Sequence, residues 1–374
     1  MNIWEKCQES GRRSPRGSQA LSSEFGLTST KEILMNKKLM ALAVAGACVA
    51  PAAMAQTANP VTLYGRVYVM FESVEAKGGA APVASRSRVS DQSSLLGVRG
   101  TEDLGGGLKA FFQLETAFNP ESNSTTFATR NSGVGLQGGW GSFVMGRWDT
   151  PYKVVGYGPD IWGDLTIAGI TSALHDRGNF DRREQNVLQY WTPTWAGFSA
   201  KFAQTANEGK TASLNPSTFS ANVVYAKGPV KLQYGYEKQK DVSATVSKEE
   251  GNEITGEFTW GSFKLAAMVE EIKKTGSTKQ KNWLASALYT MGKHQLAYQH
   301  QESKDGGVTG AALQPECDID SFGYFYNWSK RSQLVALYTK VDNNAAGVCR
   351  FGAGQLGGTG QDPQGFAIGI KHVF

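Results

Sequence analysis

From residue 61 onward the chain is written in short stretches that alternate apolar and polar residues with a period of two, the mark of strands with two unlike faces. "VTLYGRVYVMF" (61–71) sets Val61, Leu63, Gly65, Val67, Val69 and Phe71 against Thr62, Tyr64, Arg66, Tyr68 and Met70. "LKAFFQLE" (108–115) and "VKLQYGYE" (230–237) repeat the pattern. Similar strands are predicted at roughly 92–101, 127–137, 142–148, 184–192, 197–206, 218–226, 251–260, 262–272, 281–290, 294–303, 319–328, 333–341 and 364–374, which brings the total to sixteen. The last one, "GFAIGIKHVF", is still alternating when the chain ends at Phe374.

The connections alternate in length. Tight ones, rich in turn-forming residues, fall at 103–107, 138–141, 192–197, 227–229, 260–262, 290–293 and 329–332. Long polar ones fall at 74–91, 118–126, 149–183, 207–217, 240–250, 273–280, 304–318 and 342–363. Short turns at one end and long loops at the other describe an up-and-down meander of even strand number, the layout of a transmembrane β-barrel.

The composition of the faces supports lipid outside and water inside. Trp140, Phe143, Trp148, Tyr190, Trp191, Trp195, Phe198, Trp260, Phe263, Trp283, Tyr289 and Trp328 cluster near strand ends, as girdle residues at a membrane interface do. The opposite face carries Arg, Lys, Glu and Gln, which a packed core does not hold unless they are paired. Strands of about ten residues cross the hydrocarbon layer when tilted, and closure removes the unpaired edges. The predicted fold is therefore all-β: a 16-stranded antiparallel up-and-down transmembrane β-barrel, wide enough for an aqueous channel.

The N-terminal part reads differently. "MNKKLMALAVAGACVAPAAMAQ" places two lysines before an apolar run and ends on Ala53-Met54-Ala55, the pattern of a secretory signal peptide over 35–55. Residues 1–34 are polar and patternless, and Met35 is the expected initiator, with 1–34 a non-native extension. The barrel domain is expected over 56–374. Removing residues 1–55 takes seven of the 38 Lys/Arg and four of the 33 Asp/Glu, leaving 31 and 29 and a net charge of +2. Nucleic-acid binding therefore gains no support from charge. Cys317 and Cys349 remain, and in an exported chain one disulfide is the simplest arrangement. Both are expected in external loops, before strands fourteen and sixteen.

No cofactor or catalytic motif stands out. "GVGLQG" (133–138) matches a dinucleotide-binding glycine pattern but continues as strand where that pattern requires a helix. The four histidines, at 175, 294, 300 and 372, show no metal-ligand spacing. An enzyme is not expected. An outer-membrane adhesin barrel with a closed lumen is the rival reading to a channel.

Several stretches resemble the general diffusion porins of Gram-negative β-proteobacteria. "VTLYGRV", "GVRGTEDLGGGLKAFFQLE" (97–115), "GVGLQGGWGSFVMGR" (133–147), "QNVLQYWTPTWAGFSAKFA" (185–203) and the ending "GFAIGIKHVF" are similar to that family in the same order. The resemblance implies a homotrimer in the outer membrane, contact with its lipid and assembly machinery, and passage of ions and small hydrophilic solutes. It also implies a third external loop, here 149–183, folded into the lumen as a constriction with Asp160 and Asp164 on its acidic side. A solvated external loop is the plain alternative.

On the facing basic wall, Arg183 and Arg130 match family arginines. Alternation places Arg183 inward. Counting from Val134 and Leu136 puts Arg130 outward unless a bulge intervenes. Leu95 stands where a third arginine is expected, and Arg66, Arg99 and Lys109, inward by alternation, partly compensate. Weak selectivity, leaning to anions, follows. Phe374 resembles the terminal aromatic read by outer-membrane assembly machinery, and its strand is expected to pair with the first.

Overall fold

An alternating strand buries its backbone only by pairing on both edges, and a sheet facing lipid has no other way to satisfy an edge than to close. In the structure, a computed structural model that describes residues 60–122, 127–163, 165–169, 179–351 and 356–374, this closure is complete. The segments are β1 (Val61–Gly78), β2 (Val83–Asp91), β3 (Leu95–Gly105), β4 (Leu108–Ala117), β5 (Ser132–Gly138), β6 (Gly141–Asp149), β7 (Arg183–Trp191), β8 (Phe198–Thr205) and β9 (Ser217–Lys227). They continue with β10 (Val230–Lys240), β11 (Lys248–Trp260), β12 (Phe263–Lys274), β13 (Gln280–Met291), β14 (His294–Lys304), β15 (Glu316–Asn327), β16 (Ser332–Asn343) and β17 (Gln361–Val373).

From β3 onward each segment pairs antiparallel with the next, and β17 returns to β1 in register from Arg66 opposite Val373 to Gly78 opposite Gln361. Two of the seventeen segments share one place in the wall: β2 pairs with β1 between Val69 and Ala76, and β3 pairs with it between Val61 and Arg66. Counted around the wall, the sheet is a closed antiparallel barrel of sixteen strands, as the alternation predicts.

The break between β2 and β3 has a local cause. Ser93 takes a positive φ of 64°, and the side chain of Asp91 accepts the backbone N–H of Ser94 at 3.0 Å. Ser94 Oγ in turn accepts the N–H of Tyr68 at 3.0 Å, replacing the missing ladder bond. The bulge turns the Ser93 carbonyl toward Arg66, whose Nη2 donates to it at 2.6 Å.

Burial is inverted relative to a water-soluble sheet. Leu63, Val134, Met145, Ile254, Val269, Phe322 and Ile370 are all exposed on the outer face, whereas Gln299, Gln301, Ser321 and Thr339 are fully buried on the inner one. The inner face is not uniformly polar, which departs from the expectation above. Met70, Met268, Leu284, Ile319 and Leu337 form an apolar patch on the inside, covered by Trp162, Ile167 and Ala168 of the loop after β6.

Other departures concern loops. Residues 74–91, expected as a long loop, are mostly the hairpin of β1 and β2, which run to Gly78 and from Val83. Strand β5 begins at Ser132, so 127–131 belong to the connection before it. Cys317 lies within β15 rather than in a loop; it is bonded to Cys349, in the β16–β17 connection, with Cα atoms 6.2 Å apart and both residues buried.

At the closing seam Phe374 N–H donates to Gly65 O at 3.0 Å, and Gly65 N–H donates to Phe374 O at 3.1 Å. The Phe374 ring occupies the space a side chain at 65 would need, since a Cβ there would lie 2.4 Å from its Cζ.

Candidate functional site

The connection between β6 and β7 turns into the barrel. Thr150, in an extended conformation, caps a short helix, α1 (Pro151–Gly156), by accepting the N–H of Lys153, and Pro151 supplies the preset first helical turn. From there the chain follows the inner wall. Asn222 donates to the Pro151 carbonyl at 2.8 Å, Gln233 to Val155 O at 3.2 Å, and Lys264 to Gly158 O at 3.1 Å. Ser286 donates to Pro159 O at 2.7 Å, Gln299 accepts the N–H of Ile161 at 2.9 Å, and Gln301 donates to Ala168 O at 2.9 Å.

A loop segment inside a barrel must satisfy its backbone polar groups, and here the wall's amides and hydroxyls do so. Tyr152 donates its hydroxyl to Glu270 at 2.7 Å. Burial, then the Glu270 carboxylate, pushes that hydroxyl well above its ordinary pKa, so it stays a donor. Glycines in the wall admit the loop: a Cβ at Gly251 would lie 2.8 Å from Phe180 and 2.9 Å from Tyr152, and one at Gly323 2.6 Å from Trp162. Trp162 stacks on Phe325 with ring centroids 5.1 Å apart.

Where loop and facing wall meet, Arg66, Arg130, Asp149, Tyr157, Asp160 and Gly163 surround a cavity of about 210 Å³. Arg66 and Arg130 lie on the wall side. Arg130 Nε is 2.6 Å from Glu115 Oε1, and Tyr64 donates to Glu115 Oε2 at 3.1 Å. Asp160 lies on the loop side; its Oδ1 accepts the N–H of Trp162 at 3.1 Å and the side chain of Gln299 at 3.3 Å. Arg183 Nε is 3.0 Å from Asp149 Oδ1 and 3.2 Å from Asn131 Oδ1. Lys153 reaches Asp181 at 2.5 Å and Asp149 at 3.6 Å. Positive and negative charge thus face one another across water-accessible space, with most carboxylates already partnered.

The expected site residues separate into groups. Arg66, Arg130 and Asp160 border one cavity, and Arg183 reaches it through Asp149. Arg130 faces inward because it precedes β5, so the strand parity that pointed it outward does not apply to it. Arg99 sits beside the site, its guanidinium 5.0 Å from the Tyr64 ring centroid. Lys109 does not belong to the site: it opens β4 next to the tight turn, opposite Asp103, and the six residues to Glu115 span about 20 Å of strand. Leu95 starts β3 opposite Arg66, on the inner side, where no charge is present. Asp164 lies outside the described residues. Asp149 was not singled out from sequence, although an acid four residues before Lys153 and next to a Thr-Pro helix start is a readable signal.

Two aromatic assignments also change. Trp148 and Trp191, grouped with the girdle, point into the lumen. Along β7, Val187 and Gln189 are buried on the inner side, Leu188 is exposed, and Tyr190 packs on the outward Phe143 with centroids 4.9 Å apart, so Trp191 faces in. A bulge between Gly146 and Trp148 brings Trp148 to the same side, 5.4 Å from Trp191.

Comparison with known proteins agrees with this architecture. A family profile described as "Gram-negative porin" matches residues 41–346. Outer membrane porin protein 32 of Delftia acidovorans is 31% identical over 368 residues, covering 91% of this chain and all of that one. The major outer membrane protein P.IB of Neisseria gonorrhoeae is 28% identical over 327 residues, covering 80% and 92%. Among solved structures, the anion-selective porin from Comamonas acidovorans superposes with a TM-score of 0.71 at 26% identity, over 84% of this chain and all of that one. A closed sixteen-stranded barrel with an apolar exterior, a polar and charged interior and a family match over most of its length leaves one conclusion: the chain belongs to the Gram-negative porin family, and is an outer-membrane channel for passive diffusion.

Proposed function

We propose that the β6–β7 loop is the constriction of this channel and that the charges around it give a weak preference for anions. The observation that carries this is one cavity bordered by Arg66 and Arg130, by Asp149 at the end of β6, and by Asp160 of the loop. A field of this kind selects by pore width and by local charge balance. Glu115 and Asp149 offset two of the arginines, and Leu95 withholds a third positive charge, which favours weak over strong selectivity. The similar Comamonas protein is described as anion-selective, which supports the sign.

Homotrimer formation is implied by the family. Residues 35–55 act as the export signal on this reading, and Phe374 as an assembly signal. The test is the zero-current potential of the purified protein across a KCl gradient. A modest chloride preference that grows when Asp160→Asn removes the loop carboxylate is expected; a strong potassium preference would overturn the proposal.

A further inference from the structure

Below the constriction, on the side of the short turns, the lumen holds a recess of about 330 Å³ whose lining includes Arg99, Phe111, Gln113, Gln137, Trp148 and Trp191. Gln113 lies two residues from Glu115 along β4, so the recess sits about 7 Å down the wall from the Arg130–Glu115 pair. Its back is a cluster of rings: Trp148 and Trp191 are 5.4 Å apart at their centroids, Phe111 and Trp191 6.3 Å. Gly135 makes this possible, because a Cβ there would lie 2.4 Å from Phe111 Cζ. A wall that only contains water has no use for three rings, since apolar surface held against water is unfavourable by about 25 cal/mol per Å².

Two cations stand beside the rings. Arg99 is held over Tyr64 and, among the described residues, forms no ion pair. Lys201 Nζ lies 4.9 Å from the Trp191 ring centroid and likewise forms none among the described residues. Among the described residues, no carboxylate lines the recess. Its polar groups besides Arg99 include the amides of Gln113 and Gln137.

We propose that this recess is a binding site for small aromatic carboxylates, a claim that rests on the barrel being an open channel. The ring of the solute stacks in offset fashion against Phe111 and Trp191. Its carboxylate meets the planar fork of Arg99, which suits two-point contact with a carboxylate. The positive charge of Lys201 over the Trp191 ring adds to the attraction. Solutes of this class pause in the recess during passage, while small aliphatic anions and neutral aromatics pass without pausing.

The test is the KCl current of the wild-type protein in a planar bilayer, titrated in parallel with benzoate, acetate and benzamide at matched ionic strength. Benzoate is expected to interrupt the current in a concentration-dependent way, and acetate and benzamide are not. Arg99→Gln and Trp191→Leu should each weaken the benzoate effect by about tenfold. Interruptions equal for benzoate and acetate in the wild type would overturn the site while leaving the channel intact, and this comparison needs no variant to fold. So would benzoate effects undiminished in both variants. Absence of any KCl current would overturn the site together with the channel.

Discussion

At the scale of single residues, the lumen is a set of cations whose charge is offset to different degrees. Arg183 is tied to Asp149 at 3.0 Å, and both side chains are largely buried. Arg183→Glu places a second carboxylate against Asp149, which is unfavourable at that separation. The zero-current potential should move toward cation preference and the folded barrel should lose stability; an unchanged potential would exclude Arg183 from the conducting path. Leu95 is the converse case, an inner-face apolar residue opposite Arg66. Leu95→Arg should raise chloride preference in the same measurement.

At the scale of elements, the β6–β7 loop is held inside by wall residues that donate to its carbonyls and by glycines that leave it room. Gly251→Val forces a side chain into Phe180 and Tyr152, an overpacking of about 1–3 kcal/mol. The loop should shift from the wall, seen as a changed single-channel conductance with greater open-channel noise. A trace indistinguishable from wild type would mean that the loop does not set the conductance. The bond from Cys317 in β15 to Cys349 stabilises the barrel end by about 3–4 kcal/mol through loss of unfolded-state entropy. Titration of the unfolded, unreduced protein should find no free thiol, and two thiols would refute the pairing.

These elements also mark where the sequence was readable. Strands that cross lipid must expose apolar residues on alternate positions, so β9 to β17 declare themselves in the chain. Strand β2, "VASRSRVSD", carries no such alternation, and nothing in its composition separates it from a loop. Arg130 defeated a parity count, and Trp148 a grouping by position near a strand end, for a related reason: the strand start at Ser132 and the bulge after Gly146 reset which face a given position occupies. The apolar patch under Trp162 was hidden because it depends on a loop meeting a distant wall, a contact no local period encodes.

At the scale of the whole molecule, closure is what makes a lipid-facing sheet possible, and the seam depends on Phe374 lying over Gly65. Deleting Phe374 removes two backbone hydrogen bonds and the ring that covers this gap, so the yield of folded, heat-modifiable barrel in membranes should fall several-fold; full yield would show the residue dispensable. The central claim is a water-filled lumen narrowed but not sealed by an inward loop, and the most direct test is single-channel recording of the purified protein in a planar bilayer. The account predicts stable, ohmic KCl steps that appear in groups of three, and a bilayer that stays silent with correctly folded protein inserted would contradict it.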